Sequence, residues 1–593
     1  MILEFIREHK LAFCAAFAVG LIYILPHVFF IAADRYQGIP MMQTANEDEY
    51  LLRIREIMDG HWTLGSPVFY EYKDQLPLSP PVGEFFYAMP AMLFRISPVN
   101  VLIASRFYFP FMLFFLVYFL IWKLTGQSPA AAGKINAAAG ALFVTLGYDL
   151  VDFRSIFGFI AGKSVLGRDF LIWSRPVNPI LGAIFLFSFL ILIWAIVKNT
   201  NWPKLSIIFA GLFLALMMGS YFFSWGTALS VAGVLVLIYL FKKEYRIAKN
   251  LIFIVFLGFL FALPYWYGAL KAAASPWHQE SVLRSGLFLT HYPLFNKLLL
   301  AVLGFYAALF FRFKDEFREK MSLRFADWHW FSLAFIFGGL LVYSQQIVTG
   351  RAVWPYHFVQ YTIPLAMAVF MVLTYRIFYE KNRYVWLAAI LAVAISSLTF
   401  GLYVQFTAYA ENYGRYAELQ NYASPFDWLN RQEKDCVALA LDENDDFANF
   451  DHAVPAFTRC NLYNSTWVFS LMPEERIFHN YFTRLFLNGV NAENIENYLA
   501  GHRQEARGRL FTNWKGLFGV KDFPDFSDQE LETRFEELAR DYRDFLKRDF
   551  VWQLQKYKLD YIFVHGGISD QAAGLIKDLK PVYNDGEFEI YKF

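Results

Sequence analysis

Long apolar segments alternate with short polar ones over the first two thirds of the chain. A helix that crosses the hydrocarbon core of a membrane needs about 20 mostly apolar residues. About eleven to thirteen such helices are predicted, because some of the segments are short or contain Pro and Gly. The clearest segments are residues 11–33, 101–123, 133–151, 177–197, 204–223, 226–241, 250–270, 295–311, 331–349, 357–378 and 384–408. A shorter apolar stretch, Val82 to Ile96, predicts an interfacial or re-entrant helix.

The pattern changes near residue 412. Beyond it, short runs rich in β-branched and aromatic residues alternate with stretches of helical periodicity, which is typical of a soluble α/β domain. The strand-like runs are Cys436–Leu441, Asp560–Val564 and Phe588–Phe593, and the helical stretches are Asp528–Leu546 and Ser569–Leu579. We therefore predict a polytopic α-helical membrane domain over 1–412, with a long first outer loop at 34–100, and an α/β domain over 413–593.

Composition supports the membrane assignment. Hydrophobic residues make up 57% of the chain and charged residues 18%, whereas soluble globular proteins contain roughly 45–50% apolar residues. Larger cores do not explain this excess, because the core of a single domain stops growing with size. The net charge of +1 gives no indication of a nucleic-acid partner.

The distribution of Lys and Arg predicts the orientation. Basic residues are concentrated in alternate short loops, which the positive-inside rule places in the cytoplasm. These residues include Lys123, Lys134, Lys198, Lys204, Lys242, Lys243, Arg246, Lys249, Arg376, Lys381 and Arg383. With a cytoplasmic N-terminus and an odd number of spans, the C-terminal domain is extracytoplasmic, and we expect a bacterial inner or plasma membrane. Cys436 and Cys460 lie in that domain, where they form either a disulfide or two buried thiols.

Three consecutive carboxylates, Glu47, Asp48 and Glu49, follow the first apolar segment. They begin an amphipathic stretch, Leu51 to His61. Acidic residues in the first turn of a helix are stabilised by its dipole, which is one explanation for them. The other is functional: carboxylates close to the membrane surface can deprotonate an acceptor hydroxyl or hold a divalent cation.

Residues 46–60 resemble the first outer loop of the GT-C superfamily of membrane glycosyltransferases, in which acidic residues precede a helix with an Arg and a Gly. Two further segments are similar to the family in order and spacing: the Pro-Pro segment Leu76–Phe94, and Ala104-Ser105-Arg106. Asn46 stands where the family often has Asp, so the resemblance implies Glu47 or Asp48 as the principal carboxylate, with Glu49 next.

The resemblance implies a sugar transfer at the extracytoplasmic membrane face. The donor would be a hexose or pentose on a polyprenyl phosphate, the acceptor a lipid, glycan or protein, and the reaction a single displacement with inversion. The transfer would be metal-dependent or metal-independent. In the metal-using branch of the family, a divalent cation, Mg²⁺ or Mn²⁺, would be held by Asp48 with Asp149 and Asp152. Without the resemblance, Asp149 and Asp152 are better explained as solvated carboxylates at a helix end.

A departing lipid phosphate needs positive charge and hydrogen-bond donors. The candidates are Arg175, Arg351, His357 and Tyr361, which lie in outer loops or at the outer ends of spans. Arg binds phosphate bidentately through its planar guanidinium group. The alternative for both arginines is an interfacial anchor whose charged end reaches the aqueous phase.

Other classes of function remain as alternatives. An oligosaccharyltransferase-like enzyme would act on proteins with related chemistry. A transporter of cell-envelope glycans usually carries ionisable residues within its spans, whereas the polar clusters here lie at one face. A non-catalytic assembly factor would use the C-terminal domain to bind a partner.

Overall fold

The computed structural model describes residues 2–42, 47–126, 131–163, 166–199, 203–312, 327–379, 381–442, 453–465, 469–510 and 527–593. Asn46, at which the chain departs from the family pattern, lies outside these ranges.

Every apolar segment predicted to cross the membrane is helical. The helices are Lys10–Ile31, Pro98–Leu124, Ala131–Leu146, Ile180–Val197, Pro203–Met218, Phe222–Phe241, Tyr245–Phe261 with Leu263–Ala273, Lys297–Arg312, Asp327–Tyr343, Val359–Phe378 and Arg383–Glu418. Within the described ranges, six helices are long and apolar enough to cross a membrane alone, and the pair Tyr245–Phe261 and Leu263–Ala273, bent by 60°, brings the number to seven. The remaining apolar helices are shorter and pack among these. The chain is a multi-pass membrane protein.

Shorter elements connect these helices. The α-helices are Ile2–Glu8, Glu47–Asp59, Val82–Phe94, Phe153–Ile160, His278–Arg284 and Gln346–Thr349; the 3₁₀ turns are Tyr70–Tyr72, Tyr148–Val151, Ile172–Ser174, Pro355–Phe358 and Leu419–Tyr422. Strand β1 (Leu287–Leu289) pairs antiparallel with β2 (Arg351–Val353). The apolar stretch near residue 82 is the helix Val82–Phe94, whose Met89, Leu93 and Phe94 are exposed as in an interfacial helix.

The C-terminal region is an α/β domain, as predicted. Its strands are β3 (Val437–Asp442), β4 (Asn461–Leu462), β5 (Tyr561–His565), β6 (Pro581–Asn584) and β7 (Phe588–Lys592), in the order β4-β3-β5-β7-β6. Strand β3 is parallel to β4 and β5, and β7 is antiparallel to β5 and β6. Its α-helices are Ala423–Asn430, Glu474–Leu487, Ile495–Gly501, Arg503–Leu510, Asp528–Leu546, Phe550–Leu554 and Asp570–Ile576. All three predicted strands are present, whereas β4 and β6 were not predicted, because β4 has two residues and β6 is an exposed edge strand.

The first long loop and the C-terminal domain share a hydrophobic core. Leu51, Leu52 and Phe69 from the loop pack in one cluster with residues of the domain such as Tyr481 and Tyr542. The helix Arg383–Glu418 also runs through residue 412 without a break. The division at residue 412 therefore stays a prediction, and the loop is attached to the domain by burial of apolar surface.

The two ends of the membrane helices differ in charge. One end contacts the C-terminal domain, and we call it the domain end. At the other, which we call the basic end, Lys134 pairs with Glu8 at 3.0 Å, and Arg376 donates to the carbonyl of Leu124 at 2.9 Å. Lys198 and Lys242 lie there with Asp327. The basic residues that indicated the orientation thus share one end of the bundle.

Cys436 and Cys460 form a disulfide bond. It joins the residue before β3 to the residue before β4, so it closes the connection between two parallel strands. The alternative of two buried thiols is excluded for this structure.

Candidate active site

The three carboxylates of the first loop point in different directions, because successive residues of a helix are rotated by about 100°. Glu47 is fully buried in an ion pair with Arg106, which also contacts the ring of His27. Asp48 and Glu49 are only partly buried. Asp48 is close enough to the Tyr416 hydroxyl to interact with it electrostatically. Glu49 interacts in the same way with the Arg175 guanidinium. The ion pair thus engages Glu47, and Glu49 is the carboxylate beside Arg175. Catalytic roles for Glu47, Asp48 and Glu49 stay predictions.

Arg175 is at the centre of the site. It follows the 3₁₀ turn Ile172–Ser174, and its guanidinium group lies over the Tyr50 ring, 5.5 Å from the centroid. Its Nη2 donates to the Tyr50 hydroxyl at 3.5 Å. Burial alone would lower the pKa of Arg175, but Tyr50, Tyr221 and Glu49 outweigh that effect and raise it. A buried, permanently cationic side chain at this place is suited to bind an anion.

Tyrosine hydroxyls surround the loop that follows Arg175. The Tyr361 hydroxyl donates to Asn178 Oδ1 at 2.5 Å, and the Val177 amide donates to the Tyr87 hydroxyl at 3.0 Å. Nearby, the Tyr221 hydroxyl lies 2.9 Å from Nδ1 of His357. These tyrosines come from different helices or helix ends, so the loop is held where several helices converge.

Two glycines allow this convergence. A Cβ at Gly83 would lie 2.5 Å from Cγ1 of Val177, which adopts φ of 58°. That conformation is unfavourable for a β-branched residue, so close packing must hold it. A Cβ at Gly182 would collide with the Tyr361 ring. Glycine at both positions therefore lets the loop approach its neighbouring helices.

A second buried ion pair orients the acidic helix. Arg53 Nε donates to Glu84 Oε1 at 2.5 Å, and both side chains are almost completely buried. Glu84 lies within the Pro-Pro segment Leu76–Phe94 that carries the family resemblance. The pair joins the helices Glu47–Asp59 and Val82–Phe94, and it fixes the face that Glu49 and Tyr50 present to Arg175.

Several buried polar atoms lack a partner within the described part of the chain. They include two donors, Arg175 Nε and Asn178 Nδ2, and two acceptors, Glu84 Oε2 and Gln360 Oε1. Buried polar groups are nearly always hydrogen-bonded in native proteins. A ligand with an anionic group or a hydroxyl could accept hydrogen bonds from Arg175 Nε and Asn178 Nδ2, which lie three residues apart in the chain.

Of the four predicted phosphate ligands, the structure brings three together. Arg175, His357 and Tyr361 are linked through Tyr221 and Asn178 as described above. Arg351 is separate: it is exposed on β2, where it pairs with Leu289 of β1. Its role as a phosphate ligand stays a prediction.

Asp149 and Asp152 lie near each other beyond the helix Ala131–Leu146. Asp152 is exposed, and its carboxylate accepts from the Arg154 amide at 3.2 Å as the cap of the helix Phe153–Ile160. Burial and the charge of Asp152 raise the pKa of Asp149 to about 6. No three His, Cys, Asp or Glu side chains of the described residues are placed to hold one metal ion. Asp48, Asp149 and Asp152 are thus not brought together as a set of metal ligands, and the cation stays a prediction.

Sequence reasoning missed several residues of the site. Tyr50 and Asn178 are buried and Tyr221 is half-buried in the surroundings of Arg175, and none has a short motif around it. Of these three residues, only Tyr50 could have been found from the sequence, because it directly follows the acidic cluster. Arg106 was noticed as part of a motif, but its pairing with Glu47 depends on contacts between distant segments.

No family model matches the chain, and no curated protein matches it. Among solved structures, it is similar to ArnT from Cupriavidus metallidurans bound to undecaprenyl phosphate, with 10% identity, coverage of 99% of this chain and 97% of that one, and a TM-score of 0.44. It is also similar to the archaeal oligosaccharyltransferase AglB from Archaeoglobus fulgidus in complex with an inhibitory peptide and a dolichol-phosphate, with 11% identity, coverage of 94% and 69%, and a TM-score of 0.45. These neighbours are of the class that the sequence resembles. The similarity is too loose to carry a function, which rests on the residues of this chain.

Proposed function

We propose that this chain is a membrane glycosyltransferase that transfers a sugar from a polyprenyl-phosphate donor to an acceptor hydroxyl. The main support is the buried cation Arg175, with two unsatisfied donors in its loop and the Glu49 carboxylate nearby. A cation for a departing phosphate and a base for an incoming hydroxyl are the two groups that such a transfer requires.

In the proposed reaction, an acceptor oxygen attacks the anomeric carbon of the donor sugar. The bond between that carbon and the phosphate oxygen breaks, and the polyprenyl phosphate leaves with the electron pair. Arg175 and Asn178 stabilise the negative charge that develops on the phosphate. Glu49 takes the proton of the acceptor hydroxyl, with Asp48 as the neighbouring carboxylate. A single displacement of this kind inverts the anomeric configuration.

The reaction is assigned to the extracytoplasmic face. The basic end of the helix bundle corresponds to the cytoplasm under the positive-inside rule. The disulfide between Cys436 and Cys460 lies on the other side, and such bonds persist in oxidising compartments. The lipid-linked donor would therefore reach the site from the outer leaflet, and the host membrane would be a bacterial inner membrane.

The experiment compares Glu49→Gln with the wild-type chain in membrane vesicles that contain a donor labelled in its sugar. General-base catalysis contributes about 100- to 10,000-fold, so we expect transfer to fall by at least about 100-fold. Binding of the polyprenyl phosphate product should persist, because the amide leaves Arg175 in place. Glu536→Gln, on an exposed part of the C-terminal domain, is the matched control. Full transfer by an Asp48→Asn, Glu49→Gln double variant would refute the assignment.

A further inference from the structure

A cleft of about 340 Å³ opens in the C-terminal domain, away from the site described above. The side chains that matter for its chemistry are Gln37, Ser424, Asp427, Trp428, Arg431 and Tyr583. Gln37 belongs to the first long loop and Tyr583 to β6. The other four belong to the helix Ala423–Asn430 or directly follow it. Its volume is at the lower end of the range for small-molecule sites, which suits one or two sugar rings.

Two aromatic rings form one wall of the cleft. Trp428 is half-buried, and its ring is held by Tyr561, edge to face at 5.4 Å, and by Tyr583 at 5.9 Å. The Tyr583 hydroxyl donates to Asp585 at 2.6 Å and lies 2.8 Å from the Ser424 hydroxyl. The indole is thus a fixed platform. The negative face of an aromatic ring attracts the partly positive C–H groups of a sugar.

Three planar polar side chains border this platform. Asp427 and Arg431 are one helical turn apart and share a face. Neither forms an ion pair with another described residue, and the Gln37 side chain has no hydrogen bond there, so all three groups are free to bind. Carboxylate, guanidinium and amide groups each bond adjacent hydroxyls in pairs. Since the two charges balance, the cleft favours an uncharged ligand.

The cleft is connected rigidly to the candidate active site. Gln420 is fully buried, and its side chain accepts from the Gln37 amide at 2.9 Å and donates to the Tyr416 carbonyl at 2.7 Å. Tyr416 in turn lies close to Asp48. Tyr416 and Ala423 are seven positions apart, along the end of the helix Arg383–Glu418 and the 3₁₀ turn Leu419–Tyr422. At a rise of up to about 2 Å per residue, they lie within about 14 Å of each other. The cleft is therefore within reach of a short oligosaccharide that extends from the site.

We propose that this cleft binds an uncharged saccharide, with one sugar ring stacked on Trp428 and its hydroxyls bonded by Asp427, Arg431 and Gln37. The proposal of a saccharide site is supported by the side chains that line the cleft. Its further assignment, as a subsite for the distal sugars of a glycan acceptor, rests on the proposed function.

The test titrates the purified full-length chain with mannotriose, cellotriose and chitotriose, and measures binding by calorimetry. We expect at least one of them to bind, and Trp428→Ala to weaken that binding at least about tenfold. Asp427→Asn and Arg431→Gln change exposed side chains and keep the fold, so they test the hydrogen bonds independently; each should weaken binding about threefold or more. Trp552→Ala, a partly exposed Trp elsewhere in the domain, is the matched control and should bind as the wild type does.

The outcomes separate this proposal from the proposed function. If no trisaccharide binds to the wild-type chain, or if binding survives all three cleft variants, the saccharide site is refuted, whatever the transferase activity. If vesicles of anionic lipid bind the wild-type chain but not Trp428→Ala, and the sugars do not bind, the cleft is a lipid site and the proposal fails. If the Glu49→Gln chain binds the trisaccharide normally but wild-type chain transfers no sugar, the cleft stands and the proposed function falls. An unchanged acceptor KM in Trp428→Ala would refute the subsite assignment alone.

Discussion

Replacing Arg175 by Gln should weaken the binding of a polyprenyl phosphate far more than the binding of the corresponding polyprenol. The guanidinium group is the buried cation of the site, and its Nε lacks a protein partner among the described residues. Gln is shorter and uncharged, so it removes both the charge and the planar arrangement of donors. The prediction therefore concerns the phosphate group and not the lipid chain.

The magnitude follows from the position of the charge. Two unit charges about 4 Å apart interact by about 4 kcal/mol at an effective dielectric constant of about 20. Part of this is lost because water solvates the free phosphate, and measured hydrogen bonds to charged groups contribute about 1.5–3 kcal/mol. A loss of about 2–3 kcal/mol corresponds to about a 30- to 150-fold rise in Kd. Arg175→Lys keeps the charge but loses the bidentate geometry, so its Kd should rise about 3- to 10-fold.

The assay measures binding of farnesyl phosphate and of farnesol to the full-length chain in nanodiscs. Arg540→Gln, on the exposed face of the helix Asp528–Leu546, is the matched control. Size-exclusion behaviour and thermal unfolding report whether each variant is folded. If a folded Arg175→Gln chain binds farnesyl phosphate within about threefold of the wild type, or loses farnesol equally, Arg175 is not the phosphate ligand and the reasoning is wrong.

Three further predictions concern the structure around the site. Gly182→Ala should displace the tyrosine that contacts it and lower the thermal stability by roughly 1–3 kcal/mol, measured by unfolding in detergent; an unchanged stability would contradict the close contact. Asp149→Asn should raise Tm at pH 7 and leave it unchanged near pH 4. The folded-state pKa of Asp149, about 6, exceeds the ordinary value of 3.8, so stability is lost as pH rises through that interval; equal pH profiles would count against it. Replacing Cys436 and Cys460 by Ser should cost about 3 kcal/mol, because the bond closes a loop of 24 residues; denaturant unfolding under non-reducing conditions checks this.

Much of the fold was accessible from the sequence, because a membrane constrains each segment separately. A spanning segment must be apolar over a fixed length and must satisfy its own backbone hydrogen bonds, so the segments became helices where the pattern predicted them. The same applies to β3, β5 and β7, whose alternating and apolar runs are local features. The shortest strand, β4, has no local pattern and exists because of its neighbour β3.

The site was only partly accessible. The acidic residues and Arg175 were predicted by residue type and by position outside the spans. The burial of Glu47 against Arg106 was not predicted, because Arg106 is 59 positions away in the sequence. The separation of Arg351 from Arg175 was likewise undetermined, since both lie in outer loops.

The sequence by itself determined that the chain crosses a membrane repeatedly, that its basic residues share one end of the bundle, and that an α/β domain follows. These properties depend on the solvent that surrounds each segment, so they can be read from composition and periodicity. Tertiary structure decided which carboxylate meets Arg175, which polar atoms remain without partners, and that Trp428 lines a cleft. These three features arise where helices from distant parts of the sequence come together. The free energy of such a contact depends on both residues that form it, so it cannot be inferred from one segment alone.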